Sequence, residues 1–379
     1  MTVAFSDRLI ARRGPNFFFG SVIRVSSNHR EEREKVRDLR LEQLVQWLQG
    51  LFGARDFTVT VASADASFRR YFRVHRGGET WIAMDAPPDK EDMKPYIRVA
   101  TMLADVGVNA PRILHSNIEQ GFLLNGDLGS RTYLGELARP ENVDNLYHDS
   151  LDALVAIQSR SAANAAQLPP YDAALLQREM ALFPEWFCSR HLGLSLDAKA
   201  TADLQRVFDA LTEEALKQPR VFVHRDYHSR NLMLTDGGKQ GANPGILDFQ
   251  DAVNGPVTYD LVSLLRDCYI EWPLARIHGW VARFRERAQA AGVGVGKDEK
   301  EFLRWFDWMG VQRHLKVLGI FSRLWYRDGK SGYLKDIPRT LEYVRGVVRN
   351  YPELATLSQL IETKIVAELP KANAAALQS

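Results

Sequence analysis

Cysteine is nearly absent from this chain: Cys188 and Cys268 are the only two in 379 residues. Two thiols cannot build a disulfide framework, and neither stands in a metal-ligand or redox spacing. Both read as small buried apolar residues of a protein from a reducing cytoplasm. An excess of one charge is lacking too. The 49 Lys and Arg nearly balance 47 Asp and Glu, so a net charge of +2 gives no global field for nucleic acid or an acidic surface. No apolar run approaches the ~20 residues that a membrane helix needs, and no internal repeat is present. The remaining composition, 45% hydrophobic and 25% charged, is that of a globular protein. Its length suits two packed lobes.

Residues 1–37 stand apart. The stretch 8–30 is rich in Arg and Ser and has no acid, which superficially suggests a transit peptide, yet it lacks the continuous apolar core of a secretory signal. It reads as an extension that is either disordered or not natively translated. Helical spacing of Leu41, Leu44, Val45, Leu48 and Leu51 then opens the folded unit. From 57 to 84, alternating apolar and polar positions predict an antiparallel meander. A helix over about 92–106 and two more strands joined near Glu119–Gly121 complete a small α+β lobe over 38–125. Residues 126–370 read as a larger, mainly helical lobe. Its helices are predicted at about 141–160, 172–191, 197–217, 259–270, 273–291, 299–326 and 338–349, with another near 354–368. One hairpin-like β element at 220–249 interrupts them, and the tail KANAAALQS reads as frayed.

That β element carries the chemistry. VFVHRDYHSRNLML supplies His224, Asp226, His228 and Asn231, and GILDFQDA supplies Asp248. A loop at the end of a buried strand can aim polar side chains from a rigid support. An aspartate, an asparagine five residues later and an aspartate on the next strand meet the needs of a magnesium-dependent phosphotransferase. Asp226 orients the acceptor hydroxyl and takes its proton. Asn231 and Asp248 offer the hard oxygens that Mg²⁺ prefers on nucleotide phosphates. His224 is expected to brace the loop rather than act as acid or base.

These residues resemble the catalytic and metal-binding loops of the protein-kinase-like fold. Kinases that modify Ser or Thr carry Lys two residues after the catalytic Asp, where this chain has His228. His224-x-Asp226-x-His228-x-x-Asn231 is similar instead to the aminoglycoside phosphotransferase and choline kinase branch, which acts on small molecules. Gln250 replaces the last residue of Asp-Phe-Gly, and no Ala-Pro-Glu follows, so a protein kinase is not expected. Residues 246–273, with 65–74, 83–92, 107–114, 121–134 and 185–194, resemble the bacterial anomeric kinases of N-acetylmuramate and N-acetylglucosamine within that family. The likeness spans about 40–365. It implies ATP-dependent, Mg²⁺-assisted phosphorylation of an amino-sugar anomeric hydroxyl in cytoplasmic cell-wall recycling, with neither nucleic acid nor membrane as partner. Two other readings stay open: a kinase for another small alcohol such as choline, homoserine or an aminoglycoside, and a nucleotide-binding pseudokinase.

The chain departs from the kinase pattern in its small lobe. SADASFRRYF replaces the Gly-rich nucleotide loop with small residues, of which Ser67 adds a hydroxyl. No Lys stands near Met84 to grip the phosphates; Arg69, Arg70 or Lys90 are the candidate cations. GVGVGKDEK (292–300) has the wrong spacing for a phosphate loop and reads as a helix connection. On the acceptor side, Asp251 binds either a sugar hydroxyl or loop backbone, and Asp260 caps the following helix or braces the catalytic loop. Region 302–350 is basic and aromatic, which suits a neutral or carboxylated sugar better than a polycation.

Overall fold

Asp38 accepts the backbone N–H of Leu41 at 3.0 Å and so caps the first helix, α1 (Leu39–Phe52), which Gly53 closes at φ 69°. The computed structural model describes residues 38–64, 68–238 and 241–378. Residues 1–37 and the candidate nucleotide residue Ser67 therefore lie outside the described residues. Two compact units divide the chain, one reaching to Glu91 and including 114–125, the other comprising 92–113 and 126 onward.

The first unit is a sheet backed by α1. Strands β1 (Thr58–Ala64), β2 (Arg70–Arg76) and β3 (Glu79–Asp85) form the expected antiparallel meander. With β4 (Ile113–Asn117) and β5 (Phe122–Gly126), the strand order is β1-β2-β3-β5-β4. Alternation along β2 turns Phe72 and Val74 to one face, where Leu44 and Leu48 of α1 meet them with Ala83, Phe122 and Leu124. At the end of β3, the Asp85 carboxylate is fully buried between two guanidinium groups. Arg40 Nε donates to it at 3.0 Å, and Arg70 donates through Nε at 3.0 Å and Nη2 at 2.6 Å. Arg70 also donates to Asp38 at 2.5 Å, tying the helix cap to the sheet.

The second unit is mainly helical. Helix α2 (Lys94–Val106), grouped with the strands in the sequence reading, belongs to it. There follow α3 (Tyr133–Glu136), α4 (Val143–Arg160), α5 (Ala162–Ala165), α6 (Ala173–Met180) and α7 (Ala198–Lys217). The helix expected over 172–191 is not continuous. Pro184 lacks the N–H that would bond back one turn, and the chain runs on as a π-helical segment, Phe183–His191.

The β element also differs from a hairpin. β6 (Arg220–Val223) pairs with β9 (Val253–Pro256), enclosing a second antiparallel pair, β7 (Leu232–Met233) with β8 (Gly245–Ile246). The strand VFVH therefore finds its partner beyond GILDF. Helices α8 (Tyr259–Leu265), α9 (Leu274–Ala290), α10 (Glu299–Asp328), α11 (Ile337–Val348), α12 (Ala355–Leu360) and α13 (Val366–Gln378) complete the unit. The tail expected to fray is helical to Gln378. Leu369 and Ala376 join the core, and Asn373 bonds His191 Nε2 at 2.8 Å.

α10 is the central strut, buried on almost every side between Trp305 and Ser322. Gly319 permits this: a Cβ there would fall 2.5 Å from the Leu182 backbone, so only glycine lets the two segments approach. The GVGVGKDEK connection serves as its cap. Asp298 accepts the Glu301 N–H at 2.8 Å, and Glu301 accepts the Lys297 N–H at 2.7 Å. Among the described residues, no helix is long and apolar enough to cross a membrane.

Candidate active site

Strand β6 delivers its last residue, Val223, into a loop that two buried carboxylates hold. Asp260, fully buried in α8, accepts His224 N–H at 2.6 Å and Arg225 N–H at 3.0 Å. Asp267, just beyond that helix, accepts both the N–H (2.9 Å) and the hydroxyl (2.5 Å) of Ser229. The segment 224–229 is thus pinned at both ends by one helix and its C-terminal extension. The pinning is needed because Arg225 has φ 78°, and Asp248 has φ 64°. These are the non-glycine residues with positive φ among the described residues, and such conformations cost about 1–3 kcal/mol each unless neighbours fix them. Asp260 does not cap α8: its N-cap, Thr258, makes no side-chain cap bond, and the aspartate faces the loop instead.

Asp226, Asn231 and Asp248 are brought together. Asn231 Nδ2 donates to the Asp226 carbonyl at 3.0 Å and to Asp248 Oδ2 at 3.2 Å. The backbone of Asn231 accepts Leu247 N–H at 2.9 Å, which locks the two loops in register. Gln250 Nε2 donates to Asp248 Oδ1 at 2.9 Å and to the exposed Asp251 at 3.3 Å. Asp251 therefore sits beside the metal-type carboxylate, on the surface. The Asn231 amide spends its N–H groups on the Asp226 carbonyl and Asp248, so its oxygen remains the acceptor it can offer a cation. One amide oxygen and one carboxylate are hard donors that fit Mg²⁺, with phosphate and water completing the shell.

The Asp226 carboxylate has no hydrogen bond from a described residue; its N–H reaches His224 Nδ1 at 3.3 Å. It faces a cavity of about 150 Å³ whose wall includes His228, Tyr259, Tyr269, Arg313 and Lys316. Burial alone would raise the carboxyl. Lys316, then His228, Arg225 and Arg313, more than reverse this, so Asp226 stays below the ordinary 3.8. His224 has the opposite balance: burial pushes the ring down to about 4, so it is neutral and accepts the Asp226 N–H. His228 is also lowered by burial, despite Asp267 and Asp226, and packs edge-on to Tyr269 at 5.4 Å.

Sequence reasoning missed a buried ion cluster behind the loop. Glu179 of α6 accepts Arg225 Nη2 at 2.5 Å and Lys316 Nζ at 2.9 Å, and Tyr171 Oη donates to its other oxygen. Lys316 also donates to Tyr259 Oη at 3.0 Å. Its signal was the run QRHLK (312–316) set between the apolar stretches WMGV and VLGIF. Asp267 had a signal as well, an acidic residue seven positions after Asp260 in the segment expected to form one helix.

In the first unit, Arg69 lies 3.8 Å from Glu91, and Lys90 Nζ stands 5.3 Å over the Phe68 ring. Arg70, the remaining candidate cation, is consumed by Asp85 and Asp38.

An antiparallel sheet unit followed by a helical unit, whose loop carries the Asp226 carboxylate with the linked Asn231 amide and Asp248 carboxylate, has the architecture of a kinase-like phosphotransferase. Residues 58–306 match the phosphotransferase enzyme family, and the chain belongs to that family. It is 47% identical over 334 residues to an N-acetylmuramate/N-acetylglucosamine kinase of Pseudomonas aeruginosa, covering 86% of this chain and 96% of that protein. A kinase of the same name from Neisseria meningitidis serogroup B is 47% identical over 323 residues, covering 84% and 94%. Among solved structures, a choline kinase from Streptococcus pneumoniae shares the fold at a TM-score of 0.56 and 11% identity, over 81% of this chain and 99% of that one. The α+β, protein-kinase-like fold expected from the sequence is the fold observed.

Proposed function

We propose that this protein transfers the γ-phosphoryl group of ATP to the anomeric hydroxyl of N-acetylmuramate and N-acetylglucosamine. The products are the sugar 1-phosphate and ADP. The observation that carries this reading is the unbonded, ionised Asp226 carboxylate on a cavity wall, with Asn231 and Asp248 linked to its loop. The 47% identity to the sugar kinases, over nearly their whole length, supports the choice of acceptor.

Asp226 accepts the hydrogen bond of the C1 hydroxyl and takes its proton as the O–P bond forms. An anomeric hydroxyl is more acidic than an ordinary alcohol, so orientation and charge neutralisation carry most of the catalysis. The Asn231 amide oxygen and the Asp248 carboxylate would hold Mg²⁺, which would neutralise charge on the nucleotide phosphates. His224, His228 and Asp260 support the loop. Arg69 and Ser67 are assigned to the nucleotide in the first unit, since Arg70 is committed elsewhere. Asp251 is assigned to a sugar hydroxyl, on the strength of its place beside Asp248. The sugar 1-phosphate then suits a nucleotidyltransferase in a cytoplasmic cell-wall recycling route.

ATP consumption measured with N-acetylmuramate, N-acetylglucosamine, choline and kanamycin tests the acceptor. Turnover on the two amino sugars is expected. Faster turnover on choline or kanamycin, or ATP binding with no turnover on any of the four, overturns the reading.

A further inference from the structure

Helix α10 carries Arg313, His314 and Lys316 in a stretch that is at most 7% exposed. Two of the three have partners that account for them. His314 Nε2 bonds the Arg266 carbonyl at 2.9 Å, and Lys316 is held by Glu179 and Tyr259. Arg313 is different. It is 4% exposed, yet its contacts are the Ser263 hydroxyl at 2.7 Å and Cys268 Sγ at 3.7 Å. Its Nε has no hydrogen-bond partner, and no carboxylate among the described residues makes an ion pair with it. Asp226 and Asp267 act on it only through space, without an ion pair, and a guanidinium is built to take a carboxylate through two parallel N–H bonds.

Arg313 also lines the cavity that Asp226 faces. On that wall Lys316 is already ion-paired with Glu179, while Arg313 shares the wall with Asp226 without an ion pair. Its guanidinium is the group there that can take a further carboxylate, next to apolar surface from Val317 and Phe321. Asn231 and Asp248, the residues assigned to Mg²⁺ and the nucleotide phosphates, are not part of this wall. Building on the function proposed above, we propose that Arg313 reads the lactyl carboxylate of N-acetylmuramate while Asp226 faces the anomeric hydroxyl. N-acetylglucosamine has no such carboxylate and leaves the guanidinium to water. Arg313 is thus a specificity residue that separates the two acceptors.

The test compares kcat/KM for both sugars in the wild type and in Arg313→Gln, and adds the methyl ester of N-acetylmuramate as a neutral substrate. Hydrogen bonds to charged groups are worth roughly tenfold or more in binding. The wild type should prefer the acid to its ester by about that factor, mainly through KM. Arg313→Gln should lose that preference and fall about tenfold further on N-acetylmuramate than on N-acetylglucosamine. Equal use of acid and ester by the wild type overturns the proposal, even if the variant does not fold. So does an equal loss on both sugars in a folded variant. If the wild type phosphorylates both sugars but ignores esterification, only this inference fails; if it phosphorylates neither, the proposed function fails and takes this inference with it.

Discussion

Asp260 holds Arg225 in a left-handed backbone conformation: Oδ1 accepts the Arg225 N–H at 3.0 Å, where φ is 78°. Its other oxygen takes the His224 N–H at 2.6 Å. Burial pushes the Asp260 carboxyl up to about 7, while these two N–H groups, which a carboxylate satisfies better than a neutral acid, pull towards the anion. Asp260→Asn is expected to leave one buried N–H without an acceptor, at a cost of about 1–3 kcal/mol. The loop then relaxes, and displacement of Asp226 by about 1 Å lowers kcat by roughly a hundredfold. Linkage adds a sign. The folded value lies above the ordinary 3.8, so this group's contribution to stability falls as pH rises from about 4 to about 7 and is flat beyond. Calorimetric melting of both proteins across that range, with steady-state kinetics, checks it.

Asp226→Asn keeps the shape of the side chain and removes the base. Turnover should fall by about 10²–10⁴-fold, with nucleotide affinity little changed, because the proposed nucleotide contacts lie with other residues. Titration calorimetry with ATP separates the two effects. Near-normal turnover in this variant would sink the assignment of Asp226 as base.

Much of this was legible in the sequence because it was local. The spacing Asp226 to Asn231 needs only one loop, and Asp248 follows two residues after β8 in the same β element. The meander and most helices followed from period-2 and period-3.6 patterns. What escaped was long-range. Glu179 meets Arg225 from 46 residues away, and Asp267 meets Ser229 from 38. No periodicity links such pairs, and in a sequence a buried Lys or Glu looks like a solvated one. The helical tail was hidden for a similar reason: small residues such as Ala376 form a helix when a core surface receives them.

Lys316 is the cation that acts most strongly on Asp226, with Arg225 and Arg313 adding to it. Burial lowers the ring of His228, which shares the cavity wall with Lys316. Asp226 in the wild type is depressed, so it remains ionised throughout the range above about pH 4 and adds no acid limb there. Lys316→Met removes the largest opposing charge and leaves burial, which raises the carboxyl. The acid limb of kcat/KM should therefore move upward relative to the wild type. An unmoved limb, in a variant that still folds, would deny Lys316 this electrostatic role.

Glu179 supplies the buried negative charge that Arg225 and Lys316 share, at 2.5 and 2.9 Å. Glu179→Gln keeps the volume and removes the charge, so two buried cations lose their common partner. Breaking a buried pair in this way costs about 3–5 kcal/mol, a large part of the stability of a single domain. The Glu179 carboxyl is also depressed: burial raises it, but Lys316, Arg225 and Tyr171 outweigh that. Its stabilising contribution is therefore complete above the ordinary value of 4.5 and is lost as pH falls through the lower folded value. The difference in denaturant midpoint between wild type and Glu179→Gln should be greatest near neutral pH and shrink steadily below about pH 4.5. A difference that stays constant with pH would show that packing around the side chain, and not its charge, is what the cluster needs.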